Sequence, residues 1–148
     1  MEWVVVRDRV FGYDTITIKV SVNRAETNWN LLAKNGWDVS QDAKTVTIKG
    51  GGEEEVELVF FCTRREMELH EVQESRKLLG LVPDLQAQIQ ANLDHPSFSD
   101  SHWNGDCWPE PARGFWQVID FSNRKVSTGG GRPAKWKSIA WFAGKRNA

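Results

Sequence analysis

Two of the chain's three histidines and one of its two cysteines fall between residues 94 and 107, interleaved with aspartates. The set is Asp94, His95, Asp100, His102, Asp106 and Cys107. Imidazole, thiolate and carboxylate together suit Zn²⁺, and a cysteine near a histidine can serve as a nucleophile. On that chemistry His95, His102, Asp106 and Cys107 are the candidate catalytic residues of a small hydrolase or metal-dependent enzyme. The spacing points the other way. Structural zinc sites pair their ligands as C-x₂₋₄-C or H-x₃₋₅-H, whereas His95 and His102 stand seven positions apart. A polar surface loop, using Asp and His for turns and caps, accounts for the same residues, so no metal and no cofactor is expected.

Two glycine runs raise the question of a phosphate cradle, "KGGGEEE" at 49–55 and "STGGGRPAK" at 127–135. A cradle needs successive backbone N–H groups opening a helix, with Lys and Ser or Thr after the last glycine. Three glutamates follow the first run and would repel an anion. The second continues through Arg132 and Pro133 into a strand. Both read as hairpin tips. The segment "RREMELHEVQESRKLL", 64–79, sets four glutamates between basic ends, and a solvated helix face explains it without chemistry.

The closing stretch is different. Between 113 and 146 basic and aromatic residues are packed together as nowhere upstream. Read as strands, "FWQVIDF" alternates Phe115, Gln117, Ile119 and Phe121 against Trp116, Val118 and Asp120. "WKSIAWF" alternates Trp136, Ser138, Ala140 and Phe142 against Lys137, Ile139 and Trp141. Arg124 and Lys125 at one turn, Arg132 and Lys135 before the last strand, and Lys145 and Arg146 after it would ring those aromatics with cations. Proteins that bind single-stranded nucleic acid combine these elements: cations that follow the phosphates and flat rings on which bases stack. A core of rings with cations offsetting an acidic body is the competing account. The candidate binding residues are Trp116, Arg124, Lys125, Arg132, Lys135, Lys137, Trp141, Lys145 and Arg146.

Charge supports the same segment. The net charge of the 148 residues is −1, yet residues 111–148 hold eight Lys and Arg against one acidic residue. Such asymmetry points to a charged partner or to internal complementarity. Eight tryptophans imply an aromatic core or binding surfaces. At 40% hydrophobic and 26% charged residues the composition is that of an ordinary globular domain. No run reaches the ~18 apolar residues of a membrane span. "MEWVVVRDRVF" lacks the basic flank and cleavage site of a signal peptide. With two cysteines, a reducing cytoplasmic setting is expected rather than a disulfide framework.

The elements that must position these residues follow from periodicity. "WVVV" at 3–6 reads as a buried strand. "TITIKVSV" at 15–22 alternates Ile16, Ile18, Val20 and Val22 with polar residues, a half-buried strand. "NRAETNWNLLAKNG" offers Asn23 as a cap and Asn35-Gly36 as a stop. Strands are expected at 37–40, 45–49 and 56–62, helices near 24–34, 65–79 and 84–93, and strands at 115–121 and 136–142. Residues 94–114 have no period and read as a long irregular loop. The expected fold is one α+β domain over 1–148, a mainly antiparallel sheet of five to seven strands with hairpin connections and about three helices.

On this reading the chain is a small, non-catalytic intracellular binding protein, a regulator or inhibitor of phage or mobile-element type. Its basic-aromatic C-terminal segment would meet nucleic acid or a protein that handles it, with no role for a membrane.

Overall fold

The computed structural model describes residues 3–46, 52–110, 115–130 and 135–146. In chain order the elements are β1 (Val6–Arg7), β2 (Asp14–Asn23), α1 (Trp29–Lys34), β3 (Asp38–Val39), α2 (Gln41–Lys44), β4 (Glu53–Cys62), β5 (Met67–Glu68) and α3 (Leu69–Leu78). They continue as β6 (Leu81–Val82), α4 (Leu85–Asp94), α5 (Phe98–Ser101), β7 (Asn104–Glu110), β8 (Phe115–Ser122), β9 (Lys125–Gly130), β10 (Lys135–Trp136) and β11 (Trp141–Arg146).

The fold is a nine-stranded mixed sheet, ordered β1-β2-β4-β11-β7-β8-β9-β3 with β6 also on β11, beside a two-stranded sheet of β10 and β5. Five short helices accompany it among the described residues. This corrects the expected five to seven strands and about three helices. Most pairings are antiparallel, but β11 runs parallel to β7 and β3 parallel to β9. The strands not expected are β5 and β6, two residues long and too short to display a period of two, and the longer β7 and β9, read as loop and hairpin tip. β10 and β11 replace one expected strand, and of the expected strand 45–49 residues 47–49 lie outside the described ones.

Both faces of the sheet are covered at its centre. In β2 Asp14, Ile16, Ile18, Val20 and Val22 are the buried residues, on one parity as the alternation requires. In β4, Val56, Leu58 and Phe60 join the apolar four under α4, while Val59 and Phe61 pack on the opposite face with Met67, Leu69, Val72 and Phe142. A third cluster, under α1, α2 and α4, gathers Trp29, Leu32, Trp37, Ile89, Ile119 and Phe121. No helix among the described residues is long and apolar enough to cross a membrane.

Several local expectations change. Asn28, not Asn23, caps α1, its side chain accepting from the amides of Asn30 and Leu31. Ser40 caps α2, so "QDAK" is helical where a connection between strands was expected. Glu68 and Glu71 form a capping box that starts α3 four residues later than the charge pattern suggests. The expected loop 94–114 contains α5 and β7, and residues 111–114 lie outside the described ones. "WVVV" is no buried strand: Val4, Val5 and Val6 are exposed along the sheet edge. The expected strand 136–142 is broken by a turn in which the Ala140 amide donates to Lys137 O. Trp136 ends β10, and Trp141 begins β11.

Where β7 and β11 separate, the guanidinium of Arg76 fills the gap. Its Nη2 donates to Asp106 Oδ1 at 2.6 Å and its Nε to Ala143 O at 3.0 Å. Gly144 allows this approach, since a Cβ there would stand 2.7 Å from Leu81 Cβ and 3.2 Å from Arg76 Cδ.

Candidate functional site

The structure separates the candidate catalytic residues. His95 follows α4, and its ring meets Trp3 edge-on at 4.9 Å. His102 stacks on Phe98 at 4.5 Å, contacts Trp141 edge-on, and shares a 2.7 Å hydrogen bond between Nδ1 and Ser101 Oγ. Burial pushes its pKa down, which keeps the ring neutral. Asp106 is buried in the pair with Arg76 and also accepts from the Cys107 amide. The Cys107 thiol donates to Leu69 O, and burial pushes its pKa up to about 12. A thiol so protonated is no nucleophile at neutral pH. Asp94 accepts from Gln90, and Asp100 pairs with Arg124. Among the described residues no group of three His, Cys, Asp or Glu side chains is placed to hold a metal ion.

The candidate binding residues divide between the two ends of the sheet. At one end Lys145 lies 3.4 Å from Glu54 and 3.9 Å from Asp84, while Arg146 lies 2.9 Å from Glu57. Arg24 joins that network, and its hydrogen bond holds the Glu54 carboxyl below the usual range. A recess of about 330 Å³ there is lined by Ser21, Val22, Asn23, Glu53, Glu54 and Glu55. This end is acidic, and Arg24, Lys145 and Arg146 are already paired there.

At the other end β2, β7, β9 and β11 begin and β4 and β8 finish, as the registers Asp14↔Cys62, Trp141↔Asn104 and Asn104↔Phe121 require. Arg124, Lys125, Lys135 and Lys137 are exposed in this region. Arg124 sits in a two-residue hairpin turn, where it and Asn123 both have positive φ, 60° and 49°. Trp116 and Trp141 are half-buried and pack against core clusters. Trp141 shares no strand with Lys137, which lies in the turn before β11. Arg132 lies outside the described residues.

The same end carries arginines that sequence reading left aside. Asp14, 4% exposed, opens β2 and binds two guanidiniums. Arg7 Nη1 donates to its Oδ1 at 3.1 Å, and Arg64 Nε donates to Oδ2. Arg64 holds a left-handed conformation, φ 62°, uncommon for a residue with a side chain. Arg9 and Arg65 are exposed in the same two turns. The Cys62 thiol donates to Ser138 O at 3.4 Å, which seats the Lys137–Ala140 turn against the end of β4. Arg7 and Arg64 keep about half or more of their side-chain surface in solvent, 53% and 65%. Nothing local in the sequence joins this pair; the antiparallel pairing of β2 with β4 brings the start of one and the end of the other together. Comparisons with protein-family models, curated proteins and solved structures find no match to this chain.

Proposed function

We propose that the protein is a non-catalytic binding protein whose basic sheet end engages a nucleic acid strand. The observation that carries this reading is the pair of guanidiniums held on one buried carboxylate. A guanidinium has five N–H donors in a planar fork. Asp14 accepts from Arg7 Nη1 and Arg64 Nε, restrains both guanidiniums, and leaves about half or more of each side chain in solvent. Fixed, outward-facing guanidinium donors match phosphate oxygens. Arg9, Arg65, Lys135 and Lys137 supply further positive charge around them, whereas the opposite end offers glutamates. The C-terminal cations Lys125, Lys135 and Lys137 take part, whereas Arg124, Lys145 and Arg146 are already paired with carboxylates.

The test is an electrophoretic mobility shift with short RNA and DNA strands at two salt concentrations. Each phosphate contact releases counterions, so the logarithm of affinity should fall with the logarithm of salt, by a slope of about 0.7 per contact for a single strand. Arg64→Ala and Lys137→Ala should weaken binding to every sequence and flatten that slope. A wild-type protein that shifts no strand at the lower salt refutes the reading, and so does a slope that the variants leave unchanged.

A further inference from the structure

The loop joining β1 to β2 is fixed more tightly than a surface loop requires. The Asp8 amide donates to Tyr13 O at 2.7 Å, and the Gly12 amide to Asp8 O at 2.9 Å. The Asp8 carboxylate accepts from the amides of Val10 and Phe11 at 3.4 and 2.7 Å. Gly12 has φ 76°, the region that favours glycine. The loop holds Phe11 in one place. Phe11 is 42% exposed, and its ring lies 6.1 Å from the buried Tyr13 ring, the planes inclined by 28°. Tyr13 is anchored in turn, 6.1 Å from Phe61 and hydrogen-bonded to Ser75 Oγ at 2.9 Å. A chain of ring contacts thus runs from the core to the exposed Phe11. Arg7 Nη2 lies 3.8 Å from the place a Gly12 Cβ would occupy, so the Arg7 guanidinium held on Asp14 lies beside the residue that follows Phe11.

We infer that Phe11 is a base-stacking platform and that Arg7 and Arg64 hold the phosphates beside it, so the nucleic acid taken here is single-stranded. This rests on the reading of the basic end as a nucleic-acid surface and adds which form it accepts. Phe11 keeps open ring surface beside Tyr13. It can stack on one splayed base, which a single strand presents without the unstacking that wedge residues impose on a duplex. Stacking carries no hydrogen-bond readout, so the site tolerates any base. Val10 and Ile139, 80% and 65% exposed, place apolar surface at this end of the sheet. Apolar surface rimmed by cations is also what an anionic membrane surface attracts, and the experiment separates the two.

The probes are a short oligothymidylate, an abasic strand of the same length, a hairpin duplex, and vesicles containing phosphatidylserine, read by fluorescence anisotropy or co-sedimentation. Wild-type protein should bind oligothymidylate roughly five- to 150-fold more tightly than the abasic strand, the ratio that one stacked base supplies. Phe11→Ala should abolish that ratio and leave abasic affinity unchanged, with a melt lowered but still cooperative, while Phe11→Trp keeps the ratio. Arg64→Ala should weaken both strands equally. If wild-type protein binds both strands alike, or prefers the duplex, the stacking site is refuted while the nucleic-acid reading stands. If neither strand binds, that reading falls as well. Capture by the vesicles that is lost in Phe11→Ala, without strand binding, assigns the surface to a membrane and overturns the proposal.

Discussion

Replacing Arg76 by methionine keeps the apolar stem of the side chain and removes the guanidinium donors that reach Asp106 in β7 and Ala143 in β11. Arg76 is 2% exposed, so bulk water does not reach its partners in the folded protein. Breaking a buried ion pair by deleting one partner costs about 3–5 kcal/mol, because the remaining charge stays buried without compensation. In a protein of this size that corresponds to a fall of roughly 6–20 °C in melting temperature. Paired urea melts of wild type and Arg76→Met, with unchanged m-value, would measure it. Adding Asp106→Asn should recover a large part of the loss, since an amide oxygen still accepts from the Cys107 amide and no charge is left behind. A loss below about 1 kcal/mol in the single variant would refute the bridging role. So would a double variant less stable than the single one.

Gly105→Ala should destabilise by about 1–3 kcal/mol in the same melts, because a Cβ there would stand 2.4 Å from Ile119 O and 2.6 Å from the Trp136 ring; an unchanged midpoint would contradict that packing. Asp120 is half-buried in β8, where burial raises its pKa against a single hydrogen bond from Trp103 Nε1. A carboxyl whose folded pKa is raised binds more protons when folded, so it lowers stability as pH rises from its unfolded value of about 3.9 through the folded one. Asp120→Asn, which still accepts from Trp103, should therefore be more stable than wild type at pH 7. That advantage should shrink as pH falls below the folded pKa, and an advantage that grows on acidification would show the sign to be wrong.

The legible parts of the fold were those with enough length to repeat. Alternation over Ile16, Ile18, Val20 and Val22 located β2, and the spacing of Leu85, Ile89 and Leu93 located α4 to within a residue at each end. Asn23 and Asn28 have the same capping chemistry, and only packing of Trp29 and Leu32 against the sheet selects the second. The run from Trp136 to Phe142 reads as continuous strand because Trp136, Ile139, Trp141 and Phe142 favour one; the turn at Lys137–Ala140 is imposed by β10 pairing with β5 while β11 enters the main sheet. At the candidate site, local sequence does announce exposed cations such as Lys137. Asp14 meeting Arg7 and Arg64 does not show there, because those three come together only through the pairing of β1, β2 and β4.

The position of β11 has a consequence for how the chain acquires its structure. It follows every other described strand in sequence, yet it lies between β4 and β7 in the middle of the sheet. Until it is synthesised and in place, β1-β2-β4 and β7-β8-β9-β3 are two separate blocks, each with an unsealed backbone edge and half of a shared interior facing water. Pairings this distant in sequence close slowly, and such edges invite contact with other chains in the interval. Assembly therefore has a late, decisive step: one six-residue strand locks the two blocks together.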